Sequence, residues 1–404
     1  MKILVATIGS RGDVQPYVNL CQGLQAAGHE ATLATNPTLC PLASAHGVRS
    51  VPVGPPADMG EIGERLLAES FNNMWLGMIR VMQVGARLVE QAFPDVLKAC
   101  AGADLVVASD SGSGIAEAEK LGLPWISVTL QPARIPAPAP HPSWAARVFG
   151  PVIGRLLVTP TNQFRKRVGA PPAHDISTLM STRMILVPVS RHVAPPSPQW
   201  PPYVRSTGYW FARPTESWAP PAALLDFLAA GEKPIAVSLG VMSLSGRQAR
   251  QGAQVVLEAI RRAGVRAIVQ GWDNLLKGLE LPATVHRAGS LPHGWLLDQV
   301  SAVVHHGGFG TTAATLRSGA PGIVVPHIID QFYWGQRVFE LGAGPKFIPR
   351  GQLKAEPLAA AIRQAVGDQG LRKRAAELGR QIRAEPDGVT AAVQLIETAV
   401  SRLK

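Results

Sequence analysis

Residues 303–331 read VVHHGGFGTTAATLRSGAPGIVVPHIIDQ and give the strongest indication of the fold class. The apolar run that ends at His305 is typical of a buried strand, and the glycines after it let the backbone turn tightly into a helix. A second apolar run, GIVVPH at 322–327, predicts the next strand. Two strands joined through one helix in this way form the repeating unit of a parallel α/β sheet.

The turn after the first of these strands has the composition of an anion-binding site. A helix N-terminus presents N–H groups that lack intrahelical partners, together with a partial positive charge. His306 adds a donor, and we expect Thr311 and Thr312 to cap the helix and to offer hydroxyls. Glycines that only allow a tight turn, beside core histidines, are the alternative, but they leave the following Asp330-Gln331 pair without a role.

Apolar strands alternate with helices along the rest of the chain. Further strands are predicted at ILVATIG (3–9), EATLATN (30–36), LVVAS (105–109), PWISVTL (124–130), MILVPVS (184–190), PIAVSLG (234–240) and RAIVQG (266–271). The pattern predicts an α/β protein with two Rossmann-like doubly wound domains. The Pro-rich stretch 212–222 separates a domain of residues 1–213 from one of residues 214–404, whose last helix could pack back on the first domain.

The charge of the chain does not indicate nucleic-acid binding. The net charge of +11 divides into +5 for residues 1–213 and +6 for residues 214–404, without a basic arm. Between Glu119 and Asp175 the chain has no acid, and basic side chains there alternate with aromatic ones. This composition suits contact with an anionic membrane or a lipid-like substrate, and an ordinary solvated surface is the alternative.

The remaining composition indicates the compartment. The three cysteines, Cys21, Cys40 and Cys100, cannot form a disulfide framework, so a reducing environment is expected. The N-terminal apolar run is about seven residues long and reads as a strand rather than a signal peptide. No run of ~18 apolar residues occurs, so we expect no membrane span and a cytoplasmic location, with the membrane surface as the alternative.

An acid follows the first predicted strand, in GSRGD at 9–13. One interpretation is that Asp13 caps the next helix. The other is a general base that takes a proton from an acceptor hydroxyl ~3 Å away. Asp110, which follows the LVVAS strand, could approach Asp13 at the same edge and raise one pKa, although a capping or core-edge role is the alternative.

These stretches together resemble glycosyltransferase family 1. The pattern in 303–331 is similar to the nucleotide-sugar signature of its bacterial natural-product and sterol-type members, and GSRGDVQPY (9–17) resembles the opening of the same group. TGYW at 207–210 and the stretch 289–296 are further landmarks. The resemblance implies the GT-B fold, in which two Rossmann-like domains face a cleft. The N-terminal domain would then bind the acceptor and the C-terminal domain the nucleotide sugar.

The resemblance also implies roles for individual residues. It assigns the diphosphate to Gly240, His306, Gly307, Gly308, Gly310 and Thr311, the sugar hydroxyls to Asp330 and Gln331, and the nucleobase to Ser290 and Leu291. Trp272 would line the same pocket unless it packs in the core. Ser10 and Gly12 would border the donor, and Asp13 would be the base, as an Asp is in this subgroup.

The implied reaction is a single displacement that inverts the anomeric carbon. His306 and the helix N-terminus would stabilise the leaving nucleoside diphosphate. No DxD, HExxH or Cys cluster occurs in the sequence, so neither a metal nor another cofactor is expected. Ala314 stands where many relatives have a Glu that binds ribose, which leaves UDP and TDP undecided. The resemblance makes UDP-glucose the first expectation and a TDP-sugar the next. Phe309 replaces a small residue and either shapes the sugar site or packs.

The sequence gives the least information about the acceptor. Residues 55–90 are rich in Met and aromatic side chains, which predicts either a core stripe or a pliable hydrophobic pocket. Together with the acid-free segment, this favours a lipophilic acceptor such as a sterol, a glycolipid precursor or a polyketide. A nucleotide-sugar epimerase and a non-catalytic nucleotide-sugar-binding helper are the alternatives. Asp13 and the Asp330-Gln331 pair favour transfer over both.

Overall fold

The computed structural model describes residues 1–57, 62, 74–135, 158–212, 218–240, 246–272, 276 and 281–401. The chain divides into two compact units. The described residues of 1–57, 82–135, 158–212 and 385–401 belong to the first unit, and residues 62, 74–81 and the described residues of 218–384 belong to the second.

The first unit is a parallel sheet with helices between its strands. Its elements in chain order are β1 (Lys2–Ala6), α1 (Arg11–Ala26), β2 (Glu30–Thr35), α2 (Cys40–Ala45), β3 (Arg49–Pro52), α3 (Met74–Cys100), β4 (Leu105–Ala108), α4 (Ile115–Lys120), β5 (Trp125–Val128), α5 (Thr159–Val168), β6 (Ile185–Val187) and β7 (Val204–Ser206). The strands lie in the order β3-β2-β1-β4-β5-β6-β7 and every pair is parallel. The strand order therefore reverses between β1 and β4.

The second unit repeats this plan on a smaller scale. The remaining elements are α6 (Ala222–Ala229), β8 (Ile235–Ser238), α7 (Gly246–Ala263), β9 (Ala267–Gln270), β10 (Val285–Ala288), α8 (His293–Leu296), β11 (Val303–His305), α9 (Phe309–Ser318), β12 (Gly322–Val324), α10 (Ile329–Glu340), α11 (Ala355–Gly367), α12 (Gln369–Arg383) and α13 (Gly388–Ser401). The sheet order is β10-β9-β8-β11-β12, again all parallel, and it reverses between β8 and β11. Two Rossmann-like α/β sheets are thus confirmed.

Each strand that the sequence predicted is present, and the described sheets hold three more, β3, β7 and β10. All three are edge strands, each paired with one other strand. Their segments, RSVP, VRS and VHRA, mix charged and apolar residues, because an edge strand is not enclosed on both sides. The apolar run that marks a central strand is therefore missing from them.

The last helix, α13, belongs to the first unit and packs on α1. An added Cβ at Gly23 of α1 would overlap Val389 Cγ1, so the two helices approach closely there. Val393 and Ile396 of α13 are buried in the same apolar core as Leu20. The C-terminal end of the chain thus completes the core that β1 and α1 begin.

Among the described helices, none combines the length and the apolar character needed to cross a membrane.

Candidate active site

The residues that could bind a ligand or transfer a proton lie where each sheet reverses its strand order. In the first unit, β1 leads to Asp13 and β4 leads to Asp110. In the second unit, β8 leads to Gly240 and β11 leads to His306, and the register pairs His305 with Ser238. Ligands of doubly wound sheets bind outside the carboxyl ends of the strands at such a reversal. Each unit therefore has one candidate site at its strand-order reversal.

The turn between β11 and α9 is tightly packed except at one glycine. Gly307 has a φ of 88°, and an added Cβ there would lie 2.7 Å from Val324 Cγ1. An added Cβ at Gly308 would overlap His306 Nε2. At Gly310, apart from chain neighbours and the helix backbone, no described atom lies within 4 Å of the ideal Cβ position. The start of α9 is therefore open at Gly310.

His306 is half-buried and lies against two glycines. An added Cβ at Gly240, whose φ is 76°, would lie 2.9 Å from His306 Cε1. Burial lowers the pKa of His306 to about 4, although the Ser238 backbone acts in the opposite direction. The ring is therefore neutral at pH 7, and it can donate one hydrogen bond to an anion without carrying a charge.

The helix α9 begins earlier than the sequence predicted. Gly308 is its N-cap and Phe309 its first residue, so Thr311 and Thr312 lie within the first turn. The expectation that these threonines cap the helix is wrong. Thr312 is 1 % exposed and its N–H donates to the Gly308 carbonyl at 2.9 Å. A glycine can take the N-cap position because the cap requires an extended backbone more than a side chain.

The first turn of α10 carries the predicted sugar-binding pair. Gln331 is 3 % exposed, and its Oε1 accepts hydrogen bonds from the backbone N–H groups of His327 at 2.7 Å and Ile328 at 3.3 Å. Its carbonyl end therefore closes the start of α10, and these two bonds do not use the amide NH₂. Asp330 is half-buried in the same turn, where the helix dipole favours a negative charge.

The residues predicted near the nucleobase differ in exposure. Ser290 is exposed after β10, whereas Leu291 is 8 % exposed and its carbonyl accepts from Gln270 Nε2 at 3.0 Å. Trp272 is 2 % exposed and belongs to the apolar core of the second unit. Of the two interpretations of Trp272, the structure favours packing.

Phe309 also packs. It is 8 % exposed, and its ring centroid lies 5.7 Å from that of Trp334 on α10. Its bulk therefore ties α9 to α10 next to the turn.

Asp13 is the third residue of α1, and Ser10 is the N-cap. Asp13 Oδ2 accepts hydrogen bonds from the Ser10 backbone N–H and from Ser10 Oγ, each at 2.8 Å. An added Cβ at Gly9 would lie 2.7 Å from the same Oδ2, so this arrangement requires glycine at that position. Oδ2 thus makes the hydrogen bonds of a helix-capping carboxylate. Oδ1 takes no part in these two bonds. Gly12 is exposed in the same turn.

The surroundings of Asp13 make its carboxylate more basic. Nearby protein displaces water and raises the pKa of Asp13 above its usual value, and the two Ser10 bonds partly counteract this rise. The residue is nevertheless exposed to solvent, so a substrate hydroxyl can reach it. A raised pKa with access to the carboxylate is what a general base needs.

Asp110 lies at the same sheet edge and interacts with Asp13 through charge. Asp110 Oδ2 accepts from Leu130 N–H at 2.8 Å and from Thr129 Oγ1 at 3.0 Å, and Arg134 Nη1 lies 3.9 Å from Oδ1. Burial raises the pKa of Asp110, the Arg134 charge lowers it, and the Asp13 charge adds to the rise. Asp110 therefore holds the segment after β5 through these hydrogen bonds, and its pKa also depends on the charge of Asp13.

Sequence reasoning missed Tyr17 in this site. Tyr17 is 1 % exposed, and burial together with the charges of Asp110 and Asp13 raises the pKa of its hydroxyl well above the usual value. It lies four residues after Asp13 on α1, so the helical spacing was a usable signal.

His327 was missed in the second site. Its ring centroid lies 6.3 Å from that of His306. Burial, the Arg350 charge and His306 lower the pKa of His327 to about 3. The signal was its place at the end of a predicted strand next to β11, since neighbouring parallel strands end at one sheet edge.

Two predicted surfaces lie largely outside the described residues. These are the side chains of 63–82 within the Met-rich stretch 55–90, and residues 136–157 of the acid-free segment. In the described part of that segment, Arg165 pairs with Glu119 and Arg167 with Glu90. Acids from neighbouring elements therefore neutralise part of its charge. Within the described residues, no group of three or more His, Cys, Asp or Glu side chains could hold a metal ion.

Two family profiles match the chain, one in each half. The N-terminal domain of glycosyltransferase family 28 matches residues 3–135, and the C-terminal domain of erythromycin biosynthesis protein CIII-like proteins matches residues 256–398. Sterol 3-beta-glucosyltransferase of Emericella nidulans is 33% identical over 98% of this chain and 30% of its own length. The Neosartorya fischeri enzyme of the same name is 32% identical over 98% and 29%. The chain thus spans about 30% of the length of these curated relatives.

Solved structures share the fold over whole chains. The glycotransferase of kitacinnamycin has a TM-score of 0.73 and 23% identity, covering 98% of both chains. Glycosyltransferase VinC, solved in complex with dTDP, has a TM-score of 0.70 and 20% identity, covering 100% of both chains. These structures are GT-B proteins, and the two Rossmann-like parallel sheets of this chain match that fold. The chain belongs to glycosyltransferase family 1.

Proposed function

We propose that the chain transfers a hexose from a nucleoside-diphosphate sugar to a hydroxyl of a lipophilic acceptor, with inversion at the anomeric carbon. The observation that supports this most strongly is the start of α9. There, open space at Gly310, the neutral ring of His306 and a helix N-terminus occur together. Such a combination suits a diphosphate group.

The donor half of the reaction depends on the second unit. The N–H groups in the first turn of α9 and the His306 ring would stabilise the negative charge that develops on the leaving nucleoside diphosphate. Their positions are set before the donor binds, because Gly240 and Gly308 enclose the His306 ring. Asp330 and the NH₂ group of Gln331 would orient the sugar.

The acceptor half depends on Asp13. As the acceptor oxygen bonds to the anomeric carbon, Asp13 would take the hydroxyl proton, and the bond from that carbon to the diphosphate would break. The Ser10 bonds hold Asp13 Oδ2, so Oδ1 is the oxygen that we assign to proton transfer. Backside attack by the acceptor in a single step accounts for the inversion.

The comparisons support a choice of donor and acceptor. Relatives named sterol 3-beta-glucosyltransferase favour a glucosyl group and a sterol-like hydroxyl, and we take UDP-glucose as the first donor to test. The dTDP bound to VinC keeps a TDP-sugar as the second donor to test. Ala314, close to the turn, has no carboxylate, so this position does not distinguish a UDP-sugar from a TDP-sugar.

A calorimetric titration with UDP, dTDP and GDP tests the donor site. We expect UDP or dTDP to bind and GDP not to bind. Incubation of the wild type with the matching glucose donor and a panel of sterols and aromatic alcohols, followed by mass spectrometry, tests transfer. Binding without any new glycoside would favour the helper alternative, and conversion of the donor sugar itself would favour an epimerase.

A further inference from the structure

His305, the first histidine of the pair, is buried in the sheet and has no role in the proposed reaction. It is the last residue of β11, is 0 % exposed, and lies between Ser238 of β8 and Val324 of β12 in the register. Its side chain cannot reach a ligand from this position. Its backbone, however, lies two residues before Gly307.

The His305 ring holds the backbone of the turn. The Gly307 N–H donates to His305 Nδ1 at 3.2 Å. An acceptor Nδ1 fixes the neutral tautomer in which Nε2 carries the proton. Among the described residues, Nε2 has no hydrogen-bond partner, so the bond to Gly307 is the one polar contact shown for this ring. Burial lowers the pKa of His305 to about 3, which keeps Nδ1 unprotonated and able to accept.

The same turn has little freedom on its other side. An added Cβ at Gly307 would lie 2.9 Å from the Gln331 carbonyl oxygen, so α10 closes against the turn. One residue further on, the Gly308 backbone lies directly against the His306 ring. A shift of Gly307 would therefore move both the His306 ring and the start of α9.

We propose that His305 is a positioning residue: its Nδ1 holds the Gly307 N–H and thereby aims His306 and the α9 N-terminus at the diphosphate. This inference rests on the proposed function. It predicts that a hydrogen-bond acceptor is needed at the position of Nδ1 and not at that of Nε2. Asn at position 305 can place an amide oxygen near the Nδ1 position, whereas Gln places its amide near the Nε2 position.

The test compares His305→Asn with His305→Gln in the full chain. The affinity for UDP and for dTDP is measured by calorimetry, and the donor KM and kcat by nucleotide release. We expect His305→Gln to weaken binding and raise the donor KM at least tenfold, with a smaller change in kcat, while His305→Asn stays within about threefold of the wild type. Thr315→Val, which alters a buried hydroxyl on α9, controls for loss of core polarity.

Equal affinity in His305→Gln and the wild type would overturn the inference, as would equal losses in the Asn and Gln variants. If His305→Gln does not fold, the ¹⁵N chemical shifts of the wild-type ring decide: a protonated Nδ1 contradicts the bond to Gly307. If the wild type binds neither UDP nor dTDP, the proposed function itself fails, and the inference falls with it.

Discussion

Asp13 has features that suit both roles that the sequence presented as alternatives, a helix cap and the proposed general base. Its Oδ2 closes the first turn of α1 with Ser10, and its raised pKa suits proton transfer. Gly9 makes both possible, since a side chain there would displace the carboxylate. The glycines that enclose the His306 ring likewise border the proposed anion site.

Asp13→Asn should abolish transfer and retain nucleotide binding. An amide cannot take the acceptor proton, and general-base catalysis is worth about 10²- to 10⁴-fold in rate. The measurement is kcat with saturating donor, beside calorimetry with UDP or dTDP. Asp226→Asn, an exposed change on α6, is the matched control. Turnover within about threefold of the wild type in Asp13→Asn would remove the base assignment.

The pH dependence of kcat/KM should reveal the Asp13 environment. The base acts when deprotonated, so activity is lost as the pH falls through its pKa. Because that pKa is raised, the loss should begin above the ordinary carboxyl value of about 4. Ser10→Ala removes one bond that lowers the pKa, and its acidic limb should therefore move further upward. An unshifted limb in Ser10→Ala would show that a different group titrates.

His306→Ala should weaken donor binding about tenfold or more, since a hydrogen bond to a charged group contributes about 1.5–3 kcal/mol. The wild-type affinity for the intact sugar nucleotide should also stay constant from pH 6 to 8. The reason is that the pKa of His306 is about 4, so the ring stays neutral in this range. An affinity that rises as the pH falls through 6.5 would mean that the ring binds as a cation. His46→Ala in the first unit is the control.

At the scale of elements, the carboxyl ends of β1, β4, β8 and β11 explain where the chemistry lies. Each sheet changes direction there, which opens a space between the connections on either side. The α9 N-terminus projects into such a space and is open at Gly310. A side chain added at Gly310 would therefore extend into open space, where we propose that the diphosphate binds.

Gly310→Ala should separate folding from binding. Alanine replaces glycine in a helix with a gain of up to about 1 kcal/mol, so the melting temperature should stay level or rise. The added methyl group should nevertheless weaken UDP or dTDP binding at least tenfold. Gly252→Ala on α7, where an added Cβ also meets no described atom within 4 Å, should give the stability change alone. Unchanged affinity in Gly310→Ala would place the diphosphate elsewhere.

At the scale of the whole molecule, the chain returns to its starting unit. After the second sheet is complete, α13 packs on α1 and fills the core beneath β1. Glu385, at the return point, accepts from Ser190 Oγ at 3.0 Å and from the Arg191 N–H at 3.1 Å. The stability of the first unit thus depends on residues at the opposite end of the sequence.

Ile396→Ala on α13 should destabilise the first unit. Ile396 is 0 % exposed, and truncation of such a side chain costs about 2–5 kcal/mol through lost burial and the cavity left behind. Urea unfolding should detect this, while UDP or dTDP affinity at low temperature stays unchanged. Thr398→Ala, on the exposed side of the same helix, should change stability by less than ~0.5 kcal/mol. Equal stability of Ile396→Ala and the wild type would contradict the packing.

The sequence predicted the central strands and the glycine turn because buried parallel strands are apolar throughout and turns with positive φ need glycine. It did not predict β3, β7 and β10, whose edge positions tolerate charge. It misplaced the start of α9, because Gly308 caps without a side chain. The bond from Gly307 to His305 and the nearness of His327 depend on tertiary packing that spacing alone does not reveal.

The most direct test of the central claim is the identity and anomeric configuration of the product. The wild type is incubated with UDP-α-glucose or its TDP counterpart and a sterol, and the glycoside is analysed by mass spectrometry and proton NMR. We expect a β-glucoside, formed together with an equal amount of nucleoside diphosphate. An α-glucoside would contradict the single displacement at Asp13, and nucleotide release without any glycoside would contradict transfer to a lipophilic acceptor.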